Sequence, residues 1–427
     1  MTSATRARAL RSVACLLLGL VAAYLWQIQS SDGEAHRETR VWNGFSARTF
    51  TRNTSKEKRQ ADSSEPSARA VQRWIEKLVA ENPDFEIPFR KVEDSKNGFL
   101  QMVRFVDGLG QDSLFPKAIS EMLDGKQAWD AEAFSAWLSE NRTLFERILA
   151  IAELSERSAK GLPLERLSSY SLWRPREMNQ LLLATARLDA ERGNFDSAFR
   201  LYAASSNFAD HFDGIEMAGF TSRNASWFLR FQSLEAFQQQ ILPHLVGEPS
   251  ELARWRGVVT YQPNFSEEVP SLLLAEWHFL LSQHLLPAII RGDVPKISDE
   301  IPDLSQEPDR LPLPDGEAVL AVFTRKIREM QESGQLSDFD PSEHTSERLS
   351  EGGEQLMQWL FTGNEHWENS SNKAETRFAM YDALMAVALD GPLPFDPVSG
   401  DPFVWDPATR TLHPPEGIGD IEPLTLP

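Results

Sequence analysis

Residues 175–205 read PREMNQLLLATARLDAERGNFDSAFRLYAAS. Pro175 suits the first turn of a helix, where its missing N–H costs nothing. Apolar residues continue at helical spacing to Arg192, and Gly193 supplies a stop. Phe195 to Ala204 then reads as a second helix running back along the first. Ala186 and Ala198 are small enough to let two helix axes approach closely. The stretch predicts a helical hairpin, and the segments around it follow the same 3.6-residue period.

Upstream, order is expected from Glu65-Pro66-Ser67. Val71, Trp74, Ile75, Leu78 and Val79 form one apolar helical face, which Asn82-Pro83 ends. Phe99, Met102, Val103 and Val106 mark a short helix. Asp130 is placed to cap a helix carrying Ala133, Phe134, Trp137 and Leu138, and Leu144, Ile148, Ile151 and Leu154 stripe the next one. Downstream, residues 225–242, 250–257 and 270–291 read helical, the last interrupted at Pro287. Residues 296–315 are acidic and proline-rich and read as an extended connector. Helices resume at 316–332, 343–361 and 372–390. After Gly391, Phe403-Val404-Trp405 and Arg410-Thr411-Leu412, joined by Asp406-Pro407-Ala408-Thr409, read as a β-hairpin that caps the helical body. The expected class is all-α: a helical bundle or irregular array of helical hairpins over residues 65–295 and 316–390, with the hairpin and tail at 391–427.

Within 179–205, Leu182, Ala186, Gly193, Phe195, Ala198 and Tyr202 fall where a tetratricopeptide repeat has its Trp or Leu, Gly, Gly, Tyr, Ala and Tyr or Phe, so the segment resembles one such hairpin. Asp189 departs from the aromatic residue of that pattern, and no second copy follows at a 34-residue spacing. The layout also resembles a loose group of exported helical proteins of planctomycete- and verrucomicrobium-like bacteria. The likeness rests on this hairpin and on Asp396-Pro397-Val398-Ser399-Gly400-Asp401-Pro402-Phe403. The glycine-rich ending of that group is reduced here to Gly417-Ile418-Gly419-Asp420. The resemblance implies the compartment and the helical fold and brings no activity with it.

The N-terminus carries the expectation about place. Arg6, Arg8 and Arg11 precede an uncharged apolar run at residues 12–28, SVACLLLGLVAAYLWQI. Basic residues before such a run are the physical signature of export. Seventeen residues is the short limit for spanning a bilayer core, and Tyr24 and Trp26 suit its interface. The expectation is a lipid-bilayer anchor at 12–28 with the basic end, 1–11, in the cytoplasm. A polar stalk at 29–64 follows, and the body lies outside, in the periplasm. Val21-Ala22-Ala23 offers an alternative cleavage site.

The formal net charge is −20, and it is uneven: +6 over residues 1–60 and −26 over the remainder. A body this acidic repels phosphate backbones, so no nucleic-acid partner is expected, and a basic protein or a divalent cation is the more natural one. The single cysteine, Cys15, lies inside the apolar run, which excludes an intramolecular disulfide and a catalytic thiol in the body. No GxxxxGK[ST], GxSxG, HExxH or paired CxxC motif is present, Gly108-Leu109-Gly110 is a lone GxG, and no cofactor is expected.

Two clusters have metal-ligand chemistry. One is Glu365-His366-Trp367-Glu368, with His344, read as a loop. The other is Asp210, His211 and Asp213, placed where a turn after the helical hairpin would expose them. Asp396 and Asp401 flank Gly400 in a turn. His278 and His284, six residues apart, do not share a helix face. Trp227, Phe228, Phe231 and Phe237 form an aromatic stripe that suits a core or, alternatively, a groove. Five N-x-S/T sequons occur, at Asn53, Asn141, Asn224, Asn264 and Asn369. The function expected from all this is a membrane-anchored scaffold or adaptor with a protein partner. The alternative is a cell-envelope hydrolase with a carboxylate acid–base pair.

Overall fold

The computed structural model describes residues 68–109, 113–162, 173–261, 263, 265–295, 310–344, 349–417 and 421–427. The anchor residues Arg6, Arg8, Arg11, Tyr24 and Trp26, the span 12–28 and the stalk lie outside them. Among the described residues no helix is long and apolar enough to cross a membrane.

The described chain is mostly helical. Its helices are α1 (Ala68–Glu81), α2 (Gly98–Gly108), α3 (Lys117–Leu123), α4 (Ala131–Glu140), α5 (Arg142–Ala152), α6 (Trp173–Glu191), α7 (Phe195–Asp213) and α8 (Phe220–Ala236). They continue with α9 (Pro249–Val259), α10 (Phe265–Leu280), α11 (Gly316–Ser333), α12 (Glu351–Phe361) and α13 (Asn364–Ala388). Five short strands join them: β1 (Asp293–Pro295), β2 (Arg310–Pro312), β3 (Val404–Asp406), β4 (Thr411–His413) and β5 (Leu424–Thr425). The chain forms two compact units. Among the described residues, one unit lies within 68–86 and 273–367, the other within 87–162, 173–272 and 368–427.

In the first unit, α1 buries Val71, Ile75 and Leu78, three members of the expected face. Each buried aliphatic side chain contributes about 1.5–3 kcal/mol. Asn82-Pro83 ends the helix in a short 3-10 turn, Pro83–Phe85. Phe85 is fully buried and stacks on Trp277 with ring centroids 4.4 Å apart. The His278 Nε2 meets the Phe85 carbonyl at 2.7 Å. α12 is capped by Ser350, whose Oγ accepts from the Gly353 N–H, while Asp315 accepts from both the N–H and the hydroxyl of Ser350. Gly352 lets α12 approach β2: a Cβ there would lie 2.4 Å from the Pro312 carbonyl. β2 pairs antiparallel with β1, so the end of the proline-rich connector is a strand; residues 296–309 lie outside the described ones.

The second unit is built on the α6–α7 hairpin, with Gly193 in the left-handed conformation at its turn (φ 75°). A buried polar node sets α8 against both helices. Ser205 Oγ donates to Asn179 Oδ1 at 2.7 Å and lies 2.7 Å from Ser233 Oγ, and Asn179 Nδ2 donates to Gln232 Oε1 at 2.9 Å. The aromatic stripe is core, not groove: Trp227, Phe231 and Phe237 are buried, and Phe237 stacks on Trp255 at 5.5 Å. Asp130 caps α4 as expected, accepting from the N–H groups of Glu132 and Ala133.

α8 and α10 each continue through one π turn, Phe237–Ile241 and Leu281–Leu285 respectively. Both π turns end one residue before a Leu-Pro pair, at Pro243 and Pro287. A proline lacks the N–H that the preceding turn would bond and crowds its carbonyl, and a widened turn relieves both.

The C-terminal cap is a three-stranded antiparallel sheet in the order β3-β4-β5. Its first two strands are the expected hairpin; β5 was not expected. Phe403 and Leu412 point into the protein, and Gln238 Nε2 donates to the Thr425 carbonyl at 2.8 Å, so the cap seats on the helices of its own unit.

Candidate functional site

The chemistry-bearing side chains of the second unit converge at the end of α7. The helix does not turn at Asp210 as expected from sequence; it continues through Asp213, which puts Asp210 and Asp213 on one face. Arg223, Ser226 and Arg230, at i, i+3 and i+7 of α8, lie opposite. Arg230 pairs with Asp210 and lies 3.8 Å from Asp213, and its guanidinium sits 3.7 Å from the Tyr261 ring centroid. Arg223 bridges Asp213 (3.3 Å) and Glu268 (2.7 Å). Ser226 and Tyr261 donate their hydroxyls to Asp213 at 2.7 and 3.3 Å. Arg157 meets Asp210 at 3.2 Å and donates to Asn207 Oδ1 at 2.9 Å.

Burial shapes the electrostatics. Desolvation pulls the Arg157 and Arg230 guanidiniums below the usual arginine range. Desolvation pushes Tyr261 up to about 12 and raises Glu268, against the pull of Arg223. Glu375, reaching in from α13, is also raised, first by burial and then by the charges of Glu268 and Asp396. The bond it accepts from the Phe265 N–H, at 3.2 Å, pulls the other way.

The metal-ligand candidates are therefore not brought together around a cation. Asp210 and Asp213 take guanidinium partners, whose positive charge opposes a metal ion. His211 turns away into the core. It is fully buried, its Nε2 donates to the Ile151 carbonyl at 3.0 Å, and desolvation lowers it to about 4, so it stands neutral at pH 7. Glu365, His366 and Glu368 were expected in a loop; they lie in the first turns of α13. His344 ends a short 3-10 turn, Pro341–His344. Among the described residues, no three His, Cys, Asp or Glu side chains are grouped to hold a metal ion. His284 lies edge-on to Trp359 at 4.6 Å.

The Asp396–Asp401 turn is held by its own hydrogen bonds. Asp396 Oδ2 accepts from the N–H (2.7 Å) and hydroxyl (2.8 Å) of Ser399, while its buried Oδ1 receives no donor among the described residues. The arginines, Tyr261, Glu268 and Glu375 were not singled out in the sequence. The spacing of Arg223 and Arg230 was the one local signal.

The cap also presents an apolar face. Phe395 is 67% exposed and Val404 56%. Phe395 forms an isolated antiparallel bridge with exposed Pro402, two residues before Val404, the first residue of β3.

No family model, no curated protein and no solved structure matches the chain.

Proposed function

We propose that the chain is a membrane-anchored, extracytoplasmic adaptor whose C-terminal cap docks a basic protein partner. The observation that carries this reading is the exposed face of Phe395, Pro402 and Val404. Large apolar side chains clustered on a surface mark interaction sites. The net charge of −20, with Asp401 exposed beside the patch, favours a positively charged partner. The basic and apolar run at residues 1–28 supports anchoring in the bilayer, with the body outside the cytoplasm. The test is co-purification from native membranes of the full-length chain and of a Phe395→Asp/Val404→Asp variant. A partner retained by the first and lost by the second, at equal thermal stability, supports the reading. Equal recovery from both refutes it.

A second reading, envelope-polymer hydrolysis by a carboxylate pair, is favoured by one observation: burial raises both Glu268 and Glu375, the direction a general acid needs. Release of soluble fragments from envelope polymer by the full chain, abolished in Glu268→Gln, would establish it.

A further inference from the structure

The cap combines negative charge with apolar exposure. Residues 391–427 hold six acidic side chains against one basic, Arg410, a balance of −5. Asp401, Glu416 and Glu422 are exposed, and Asp406 is half-buried. The Thr409 hydroxyl (2.7 Å) and the Ala408 N–H (2.9 Å) donate to Asp406 and hold its carboxyl below the usual carboxylate range, so it is charged at neutral pH. Phe395, Pro402 and Val404 stand exposed in the same segment. A ligand suited to this surface interleaves cations with large apolar groups.

The chain carries such a sequence itself. Residues 37–59 read RETRVWNGFSARTFTRNTSKEKR and lie outside the described residues, N-terminal to α1. They hold seven basic side chains against two acidic, a balance of +5 that matches the cap with opposite sign. Trp42, Phe45 and Phe50 are interleaved with Arg40, Arg48 and Arg52. Every copy of the chain brings this segment with it, so the cap meets a basic, aromatic ligand even where no foreign partner is present.

We propose that residues 37–59 are the cap's internal ligand: their aromatic side chains cover Phe395, Pro402 and Val404, their arginines and lysines meet Asp401, Asp406, Glu416 and Glu422, and a basic partner docks by displacing them. The proposal rests on the docking reading for the face itself and adds its regulation. Its strength depends on salt, because attraction between exposed charges is screened as ionic strength rises.

The test uses the purified full-length protein in detergent, with no other protein present and a photo-reactive residue in place of Phe395. Irradiation, digestion and mass spectrometry are expected to find adducts to peptides within 37–59. Several-fold fewer are expected at 1 M NaCl than at 0.1 M, as the screening length falls from about 10 Å to about 3 Å. An Arg48→Glu/Arg52→Glu variant of equal thermal stability is expected to lose the adduct and, in native membranes, to give more adduct to the foreign partner than wild type does. Adducts of the purified wild type that fall elsewhere in the chain, or none at all, overturn the internal ligand and leave the docking face standing. An adduct to 37–59 that survives both salt and charge reversal overturns it too. Failure of the docking reading looks different: the internal adduct forms, and no foreign adduct appears in native membranes from wild type or variant.

Discussion

The His211 imidazole rests against Gly98: a Cβ added at Gly98 would lie 2.2 Å from Cε1 of that ring. The glycine is required by this close approach of α2 to α7. Gly98→Ala must push the ring or the helix away, and overpacking of this kind costs about 1–3 kcal/mol. Urea denaturation should show that loss, and His211→Ala in the Gly98→Ala background should recover part of it.

The Asp210–Arg230 pair should behave asymmetrically. Asp210→Ala leaves the half-buried Arg230 guanidinium with Asp213, at 3.8 Å, as its remaining carboxylate, and the loss should stay below the cost of a fully buried pair broken from one side, about 3–5 kcal/mol. Replacing both, as Asp210→Leu with Arg230→Met, should cost less than the two single changes added together. A double-mutant cycle in thermal or urea unfolding measures this, and strict additivity would show that the pair is not coupled.

The node of Asn179, Ser205 and Ser233 makes a similar point with neutral groups. Asn179→Leu leaves Ser205 Oγ with Ser233 Oγ alone as its partner and takes the amide donor from Gln232, and should cost about 1–3 kcal/mol. Ser205→Ala still leaves Asn179 its partners at Gln232 and Leu229 and should cost less.

His211 also sets part of the acid sensitivity. Its folded value lies near 4, below the ordinary histidine value of 6.5. A depressed histidine contributes stability that is complete above pH 6.5 and is lost as pH falls toward 4, because the unfolded chain takes up the proton first. Glu268 and Glu375, both raised, act with the opposite sign. In His211→Gln the fall in stability between pH 6.5 and 4 should be shallower than in wild type, as read from urea midpoints at fixed pH. An unchanged slope would show that His211 is not titrating there.

Local pattern made the helices legible. Val71, Ile75 and Leu78 repeat at helical spacing because they share a buried face, and Gly193 and Asp130 perform their turn and cap roles through backbone chemistry that depends on few neighbours. The start of α13 reads as a loop in sequence because Asn364 to Lys373 is rich in Asn, Ser and charge. Burial of Trp367, Ser371 and Ala374 supplies the helical drive that propensity lacks. β5 is two residues long, too short for any alternation to show. The ion cluster was hidden for another reason. Asp210 finds Arg157 53 residues before it and Arg230 20 residues after it, and no spacing rule connects residues paired only by the fold. Aspartates that looked like metal ligands in isolation are satisfied by arginines that the sequence does not mark as theirs.

The docking role of the cap is tested most directly by a photo-reactive residue placed at Phe395 in the full-length chain and irradiated in native membranes, with the same residue at exposed Glu132 as control. One discrete adduct to a basic protein at position 395, absent at 132 and lost when Val404 is changed to Asp, is the expected result. Adducts that are absent at 395, or identical at both positions, would contradict a docking face there.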